Sequence, residues 1–324
     1  MQTHTFVVQE EESGVRLDKF LSIRMGEISR SRLSQWVKDG FVTVDDAQKV
    51  SRYTVKAHEV VVLKQPNPRP IHVVGETLDL TIVYEDDALV VVDKPAGVVV
   101  HPGAGHDSGT LLNGLIGHFG SLSSVGAPSR PGVVHRIDAG TSGLLVFART
   151  DAAHYHLADQ FSKHEVDRIY LALVWDHGLD SQGTVETFYG RAPNHRIKFS
   201  SKVSRGKKAI THWETLGVYG PCRLLKLRLE TGRTHQIRVH MADLNHPLLG
   251  DVLYGRRRRV EHQRELRQLG YEMGLSRQAL HASVLGFQHP ETGDFRRWTS
   301  SLPDDFRKVL EILGCSVDEI LADL

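Results

Sequence analysis

The stretch Pro131-Gly-Val-Val-His-Arg-Ile-Asp-Ala-Gly-Thr-Ser-Gly-Leu-Leu-Val-Phe-Ala-Arg-Thr150 carries an acidic side chain into a turn and then into an apolar run. Its carboxylate, Asp138, stands two residues after Arg136 and directly before the turn Ala139–Gly143. The run Leu144–Ala148 is typical of a buried strand. An aspartate in a turn between two apolar segments suits a nucleophile or a base at a cleft. A single turn aspartate more often stabilises the turn or caps a helix, so the neighbouring motifs decide between these interpretations.

Length and composition indicate a soluble globular chain of more than one domain. It has 324 residues, of which 24% are charged and 40% hydrophobic, and this length exceeds that of a typical single domain. The two cysteines, Cys222 and Cys315, form no Cys-x-x-Cys pair, so we expect neither a disulfide framework nor a zinc site. The N-terminus lacks signal-peptide features, and no apolar run reaches membrane-spanning length. We therefore expect a cytoplasmic monomer that does not bind a membrane.

The net charge of +1 conceals an uneven distribution along the chain. Residues 14–64 hold ten basic and six acidic side chains, a local charge of +4, whereas residues 1–13 carry −3 and residues 302–324 carry −4. This leaves +4 on residues 65–301. Two mildly basic segments are compatible with a polyanionic partner such as RNA, although ordinary solvated surface charge gives the same pattern.

Residues 14–64 have the pattern of a small independent unit. Apolar residues recur at helical spacing in segments 17–21 and 33–37. Short runs of β-branched and apolar residues at 41–44 and 59–63 predict strands.

Three blocks of this unit carry a family resemblance. They are Gly14-Val-Arg-Leu-Asp-Lys-Phe-Leu21, Ser29-Arg-Ser-Arg-Leu33 and Gly40-Phe-Val-Thr-Val44. In this order they resemble an S4 RNA-binding domain, with Asp45-Asp46 in place of the usual Asn-Gly. The resemblance implies RNA-binding contacts from four basic residues of the two helices: Arg16, Arg30, Arg32 and Lys38. The alternative is a compact helical cap with a solvated basic face.

The rest of the chain predicts a linker, a larger domain and a terminal helix. Three prolines alternate between Gln65 and Pro70, which favours an extended spacer. Strand and helix patterns then follow without regular βαβ alternation, and this predicts an α+β fold with a mixed, mainly antiparallel sheet. We divide the chain into an N-terminal tail (1–13), the S4-like domain (14–64), a linker (65–77), a second domain (78–301) and a C-terminal amphipathic helix with a tail (302–324).

Further blocks with chemically active side chains accompany Asp138. They are Glu85–Gly103, Arg168-Ile-Tyr170, Gly206-Lys-Lys-Ala-Ile-Thr211, Thr231-Gly-Arg-Thr-His-Gln-Ile-Arg-Val-His240, Asn245–Gly255 and Arg277-Gln-Ala-Leu-His-Ala282. Together with His135-Arg-Ile-Asp-Ala-Gly-Thr-Ser-Gly143 they resemble, in order and spacing, the RluA family of RNA pseudouridine synthases. The resemblance covers residues 14–300. It is strongest for the RluD-like subgroup, which carries an N-terminal S4 domain.

This resemblance implies that residues 78–301 form a catalytic domain that isomerises uridine to pseudouridine in structured RNA without a cofactor or a metal. For the RluD-like subgroup the implied partner is large-subunit (23S-type) ribosomal RNA or a pre-ribosomal particle. Asp138 matches the family nucleophile, and attack on the sugar, attack on the base and a proton relay all remain open. The implied catalytic partners of Asp138 are Arg238, which pairs with it, and Tyr170, which packs on the base. The implied substrate contacts are Arg136, which fills the space of the flipped uridine, Ile237, Arg233 and Thr141.

Other interpretations of these motifs are a paralogous synthase that acts on tRNA or another rRNA site, and an RNA-binding assembly factor without activity. A hydrolase that uses Asp138 with a histidine is disfavoured because the chain lacks a Gly-x-Ser-x-Gly element. His235 and His240 are five residues apart, which is poor spacing for metal ligands. The run Arg256–Arg259 either contacts phosphates or lies in a solvated loop.

Overall fold

The structure is a computed structural model that describes residues 2–25, 30–66, 73–103, 105–127, 129–192, 198–255 and 275–316. The chain divides into two compact units, Met1–Ile71 and His72–Leu324. Within the described ranges, no helix combines the length and hydrophobicity needed to cross a membrane.

The first unit consists of an antiparallel sheet and two helices. Its elements are strands β1 (Gln2–Val7), β2 (Val42–Val44), β3 (Ala47–Gln48) and β4 (Val60–Gln65), and helices α1 (Leu17–Met25) and α2 (Arg30–Lys38). The strand order is β1-β4-β2-β3. The helices bury their apolar faces against the sheet, with Phe20, Leu33 and Val61 in one shared core. Asp45 and Asp46, which replace the usual Asn-Gly, have φ values of 47° and 59°, as the tight turn between β2 and β3 requires.

The N-terminal segment differs from the tail that the sequence predicts for residues 1–13. Residues Gln2–Val7 form β1, which pairs with β4 over its full length. Phe6 packs against the core and Val8 is fully buried, so apolar burial and a sheet edge hold this segment in place. The acidic run Glu10–Glu12 follows the strand as a short 3₁₀ helix.

The second unit is built on a ten-stranded sheet with four described helices. Its strands are β5 (Thr81–Glu85), β6 (Leu89–Lys94), β7 (Ser142–Ala148), β8 (Asp167–Trp175), β9 (Gln182–Arg191), β10 (Phe199–Ser200), β11 (Lys207–Tyr219), β12 (Cys222–Leu229), β13 (Leu280–Gln288) and β14 (Phe295–Thr299). Its helices are α3 (Leu111–Phe119), α4 (Asp151–Lys163), α5 (Gln236–Asp243) and α6 (Asp304–Ile312).

The strand order of this sheet is β10-β9-β11-β12-β8-β13-β7-β6-β5, with β14 beside β13. Among the described strand pairs of both units only β13 and β7 run parallel. The predicted α+β class with a mixed, mainly antiparallel sheet is therefore confirmed.

Strand β8 at the centre of the sheet has side chains buried on both faces. Tyr170 shares one core with Ile237 of α5. Leu171 points to the opposite face and shares a second core with Phe306 of α6. The strand thus separates the two helices, with α5 on one face of the sheet and α6 on the other.

Candidate active site

The turn that carries Asp138 is fixed by main-chain hydrogen bonds. The Asp138 carbonyl accepts a bond from the Thr141 amide (3.0 Å), and the Ala139 carbonyl accepts one from the Gly97 amide (2.8 Å). Gly143 has a φ of 110°, and a Cβ there would lie 2.3 Å from the Ala282 carbonyl oxygen. Because only glycine accepts this conformation and this close approach, the turn can meet β13 at the start of β7.

Lys94 supports the same turn through hydrogen bonds to main-chain carbonyls. Lys94 is fully buried, and its ammonium donates to the carbonyls of Pro95 (2.7 Å), Val98 (2.9 Å) and Ala139 (3.0 Å). Burial lowers the pKa of Lys94 to about 7. These three bonds connect the segment after β6 to the residue that follows Asp138.

Arg277 connects the turn to the C-terminal helix. Its Nη1 donates to the Gly140 carbonyl (3.1 Å), while Nε and Nη2 donate to Asp305 at the start of α6 (2.6 and 2.7 Å). A side chain on α6 is thus two contacts away from Gly140, in the turn that follows Asp138.

Arg238 of α5 joins two carboxylates. Its Nη1 donates to Asp138 Oδ2 (2.9 Å), and its Nε and Nη2 donate to Asp251 Oδ2 and Oδ1 (2.7 and 3.0 Å). Burial disfavours the charge on Arg238, but the two carboxylates outweigh this effect and raise its pKa further above the ordinary value. Arg238 is therefore a permanent cation in direct contact with the Asp138 carboxylate.

His235 and Tyr254 close the other side of Asp138. His235 Nε2 lies 3.9 Å from Asp138 Oδ1, and its Nδ1 shares a hydrogen bond with the Tyr254 hydroxyl (2.9 Å). Burial lowers the pKa of His235 below its ordinary value of 6.5, so the ring is mainly neutral at pH 7. The Tyr254 ring lies against the Arg238 guanidinium, 5.2 Å from centroid to Cζ.

Asp138 opens onto a cleft of about 580 Å³. Arg168 and Tyr170 are two residues apart on β8, so their side chains point to the same face of the sheet, and both line this cleft. Tyr170 is buried, and this burial raises its pKa above the ordinary value of 10, so its hydroxyl keeps its proton at neutral pH. Arg168 donates to the carbonyls of Leu229 (3.2 Å) and Glu230 (3.1 Å), and its guanidinium lies 5.3 Å from the Phe161 ring centroid.

The structure brings all seven predicted site residues of the second unit to this cleft: Asp138, Tyr170, Arg238, Arg136, Ile237, Arg233 and Thr141. Arg136 is exposed, and its Nη1 lies 3.2 Å from His101 Nε2. Arg233 also stabilises the local fold, because its Nε donates to the Lys208 carbonyl (3.1 Å). Thr141 is buried and accepts a bond from Gln278 (3.2 Å), so its hydroxyl is held in the protein.

The basic residues predicted to bind RNA lie in the first unit. Arg16 and Arg30 both bond to the buried carboxylate of Asp18, at 2.9 Å each, and Lys38 is exposed at the end of α2. Arg32 belongs to α2, but its side chain lies outside the described residues. The run Arg256–Arg259 also lies outside them.

Sequence reasoning missed Asp251, Tyr254, His235, Lys94 and His101 as parts of this site. The usable signal was Asp251, the single carboxylate of the Asn245–Gly255 block, which stands three residues before a tyrosine. Within the described ranges, no cluster of three or more His, Cys, Asp or Glu side chains has an arrangement suited to a metal ion.

Comparisons with known proteins agree on one family. The family described as RNA pseudouridylate synthase matches residues 88–243. A Bacillus subtilis protein named uncharacterized RNA pseudouridine synthase YlyB is 42% identical over 94% of this chain and 96% of its own length. The ribosomal large subunit pseudouridine synthase D of Zymomonas mobilis is 41% identical over 98% of this chain and 99% of its own.

Two solved human structures share the fold. Human RNA pseudouridylate synthase domain containing 1 is 27% identical, with a TM-score of 0.55 over 80% of this chain and 97% of its own. Human RNA pseudouridylate synthase domain containing 4 is 25% identical, with a TM-score of 0.56 over 72% of this chain and 93% of its own.

Proposed function

The chain belongs to the RluA family of RNA pseudouridine synthases, and from this premise we propose that Asp138 is its nucleophile and that no cofactor takes part. The reaction is an isomerisation of uridine in RNA. The N1–C1′ bond breaks, the uracil turns, and a C5–C1′ bond forms; C5 loses a proton and N1 gains one. Atoms and electrons balance without an oxidant, a reductant or a transferred group.

The observation that carries this proposal is the unequal environment of the two Asp138 oxygens. Oδ2 accepts the bond from Arg238, whereas Oδ1 accepts no hydrogen bond from the described residues and lies 3.9 Å from Nε2 of His235. The Asp138 side chain is 15% exposed, and this exposed part faces the cleft. A carboxylate oxygen that is held in place but not covered is what an attacking group requires.

The cleft walls supply the contacts for a flipped base. Tyr170 and Ile237 offer flat and apolar surface to a uracil ring. Since burial keeps Tyr170 protonated, we propose that its phenol packs on the base and donates a hydrogen bond to it. Arg136, exposed at the rim, is proposed to fill the gap that the flipped uridine leaves in the RNA.

We propose large-subunit ribosomal RNA as the substrate, because relatives of nearly the same length carry that substrate in their names. The first unit is proposed to act as an S4-type RNA anchor through Arg16, Arg30, Arg32 and Lys38. The exposed charges of Arg16, Arg30 and Lys38 support this, because they suit phosphate contacts.

A tritium-release assay tests the catalytic proposal. RNA transcripts labelled with tritium at C5 of uridine should release the label to water as the C5–C1′ bond forms, with large-subunit rRNA and tRNA as separate substrates. The wild-type protein should release tritium from the ribosomal transcript. Asp138→Asn keeps the size but removes the charge, and it should lower the rate by at least about a thousandfold.

The matched control is Asp294→Asn, which changes an exposed turn aspartate outside the cleft and should leave the rate unchanged. Asp138→Asn turnover within tenfold of wild type would exclude Asp138 as the nucleophile. Release from tRNA alone would exclude the ribosomal substrate while leaving the chemistry intact.

A further inference from the structure

Asp251 is a fully buried carboxylate that never reaches the cleft. It has no exposed side-chain surface and is absent from the residues that line the cleft. Besides the two bonds from Arg238, its Oδ1 accepts bonds from the main-chain amides of Leu253 (2.9 Å) and Tyr254 (3.0 Å). Both oxygens are therefore fixed by neighbours.

The pairing with Asp251 decides how Arg238 meets Asp138. The Nε and Nη2 edge of the guanidinium is docked on Asp251 in a two-bond arrangement, which is the strongest geometry for this pair of groups. Nη1 remains, and it makes the single bond to Asp138 Oδ2. A guanidinium without Asp251 could offer the same two-bond edge to Asp138 and cover both of its oxygens.

We propose that Asp251 is a positioning residue: it holds Arg238 in an end-on contact, so that Asp138 Oδ1 stays uncovered for the uridine. This inference rests on the proposed function of Asp138. Asp251 also brings a second carboxylate to Arg238, so the single positive charge of the guanidinium is shared between Asp251 and Asp138. The expected signature is a loss in the rate of the chemical step with little change in RNA affinity, because Asp251 does not face the RNA.

Asp251→Asn separates this role from an ordinary structural one. The asparagine keeps an Oδ1 that can accept the bonds from the amides of Leu253 and Tyr254, but it removes the charge that docks Arg238. The measurement compares the single-turnover rate constant with the dissociation constant for the ribosomal transcript, at a temperature where circular dichroism shows both proteins folded.

The matched control is Asp176→Asn. Asp176 also pairs with an arginine, Arg223 (3.0 Å), and also accepts bonds from main-chain amides, those of Gly178 (3.1 Å) and Leu179 (3.3 Å). It lies outside the cleft. A purely structural role predicts similar losses of stability and no rate effect for both variants.

The expected result for Asp251→Asn is a single-turnover rate at least about tenfold lower with a dissociation constant within threefold of wild type, since a 1 Å misplacement can cost a hundredfold. Asp176→Asn should keep the wild-type rate. A folded Asp251→Asn variant with a rate within threefold of wild type would overturn the inference.

If Asp251→Asn does not fold, Asp251→Glu replaces it in the same assay. The glutamate keeps the charge but pushes the guanidinium toward the cleft by one methylene, so the rate should again fall while RNA affinity holds. A wild-type rate for Asp251→Glu would refute the positioning role. A wild-type protein that makes no pseudouridine would instead refute the proposed function itself, so the two failures are distinguishable.

Discussion

Two clusters of aspartate and arginine, one from each unit, are built in opposite ways: each has a buried charged residue shared by two residues of opposite sign. In the first unit, the buried Asp18 is shared by Arg16 and Arg30, whose side chains are 52% and 48% exposed. In the second unit, the buried Arg238 is shared by Asp138 and Asp251. One cluster has a net charge of +1 and the other of −1.

The difference shows which group each cluster leaves available. Around Asp18 the carboxylate accepts hydrogen bonds from both arginines. The remaining donors of these two half-exposed arginines face solvent, which suits the binding of phosphate groups. Around Arg238 the guanidinium is hydrogen-bonded to both carboxylates. One oxygen of Asp138 accepts none of these bonds and faces the cleft, which suits attack on an electrophilic carbon. The same two residue types therefore predict binding in one unit and catalysis in the other.

The largest effect is expected when the shared group of the second cluster is removed. Arg238→Met leaves Asp251 buried without its cation, and breaking such a pair costs about 3–5 kcal/mol. Differential scanning calorimetry should show a large loss of stability together with loss of tritium release. A melting temperature equal to that of wild type would mean that the buried ion pair does not hold α5.

A smaller loss is expected when the shared group of the first cluster is removed. Asp18→Asn leaves Arg16 and Arg30 with access to water, so the cost should be about 1–2 kcal/mol. Burial opposes the ionisation of Asp18, but hydrogen bonds from Arg30 and Arg16 outweigh it and lower its pKa below the ordinary value of 3.8.

The pH dependence of this pair has a definite sign. Because the pKa of Asp18 is lowered on folding, its contribution is fully present above the unfolded pKa and disappears as the pH falls through the folded pKa. The melting-temperature difference between wild type and Asp18→Asn should therefore be constant from pH 7 to 5 and shrink below pH 4. A difference that grows on acidification would contradict the assigned cluster.

A modest effect is expected at the contact between α6 and the active-site turn. Asp305→Asn removes a pairing partner of Arg277, and Asp305 is 44% exposed, so the stability cost should stay below about 1 kcal/mol. Because Arg277 also holds the Gly140 carbonyl, the single-turnover rate should fall a few-fold with RNA affinity unchanged. An unchanged rate would show that the turn needs no support from α6.

The smallest effects are expected for single cations of the first unit. Lys38→Gln removes an exposed charge and should lower the slope of log K against log salt for ribosomal RNA by about one, without loss of stability. Arg30→Gln should change both the slope and the stability, because Arg30 also holds Asp18. Unchanged slopes for both variants would assign the first unit a structural role.

Much of the candidate site could be predicted because its residues lie in short, ordered motifs. Asp138, Tyr170 and Arg238 were identified from such blocks, and the run Leu144–Ala148 falls within the buried strand β7. Asp251 was missed because it follows a glycine and accepts main-chain bonds two and three residues ahead, which is the ordinary behaviour of a turn aspartate. Its pairing with Arg238 becomes visible only when the fold brings α5 next to this turn.

The N-terminal strand was missed for a related reason. The sequence Gln2-Thr-His-Thr-Phe-Val7 has mostly polar residues and a weak alternation, and its pairing partner β4 lies more than fifty residues away. Contacts of such long range determine β-structure more than local propensity does. By contrast, Phe306, Val309 and Leu310 recur at helical spacing, and they bury one face of α6 in the second core.

The central claim is that this chain converts uridines of large-subunit ribosomal RNA through Asp138. The most direct test is a pseudouridine map of that RNA from cells that lack the gene, compared with cells that carry the wild-type or the Asp138→Asn gene at equal protein levels. The account predicts that specific pseudouridines vanish without the gene, return with the wild type, and stay absent with Asp138→Asn. Restoration by Asp138→Asn, or an unchanged map without the gene, would contradict it.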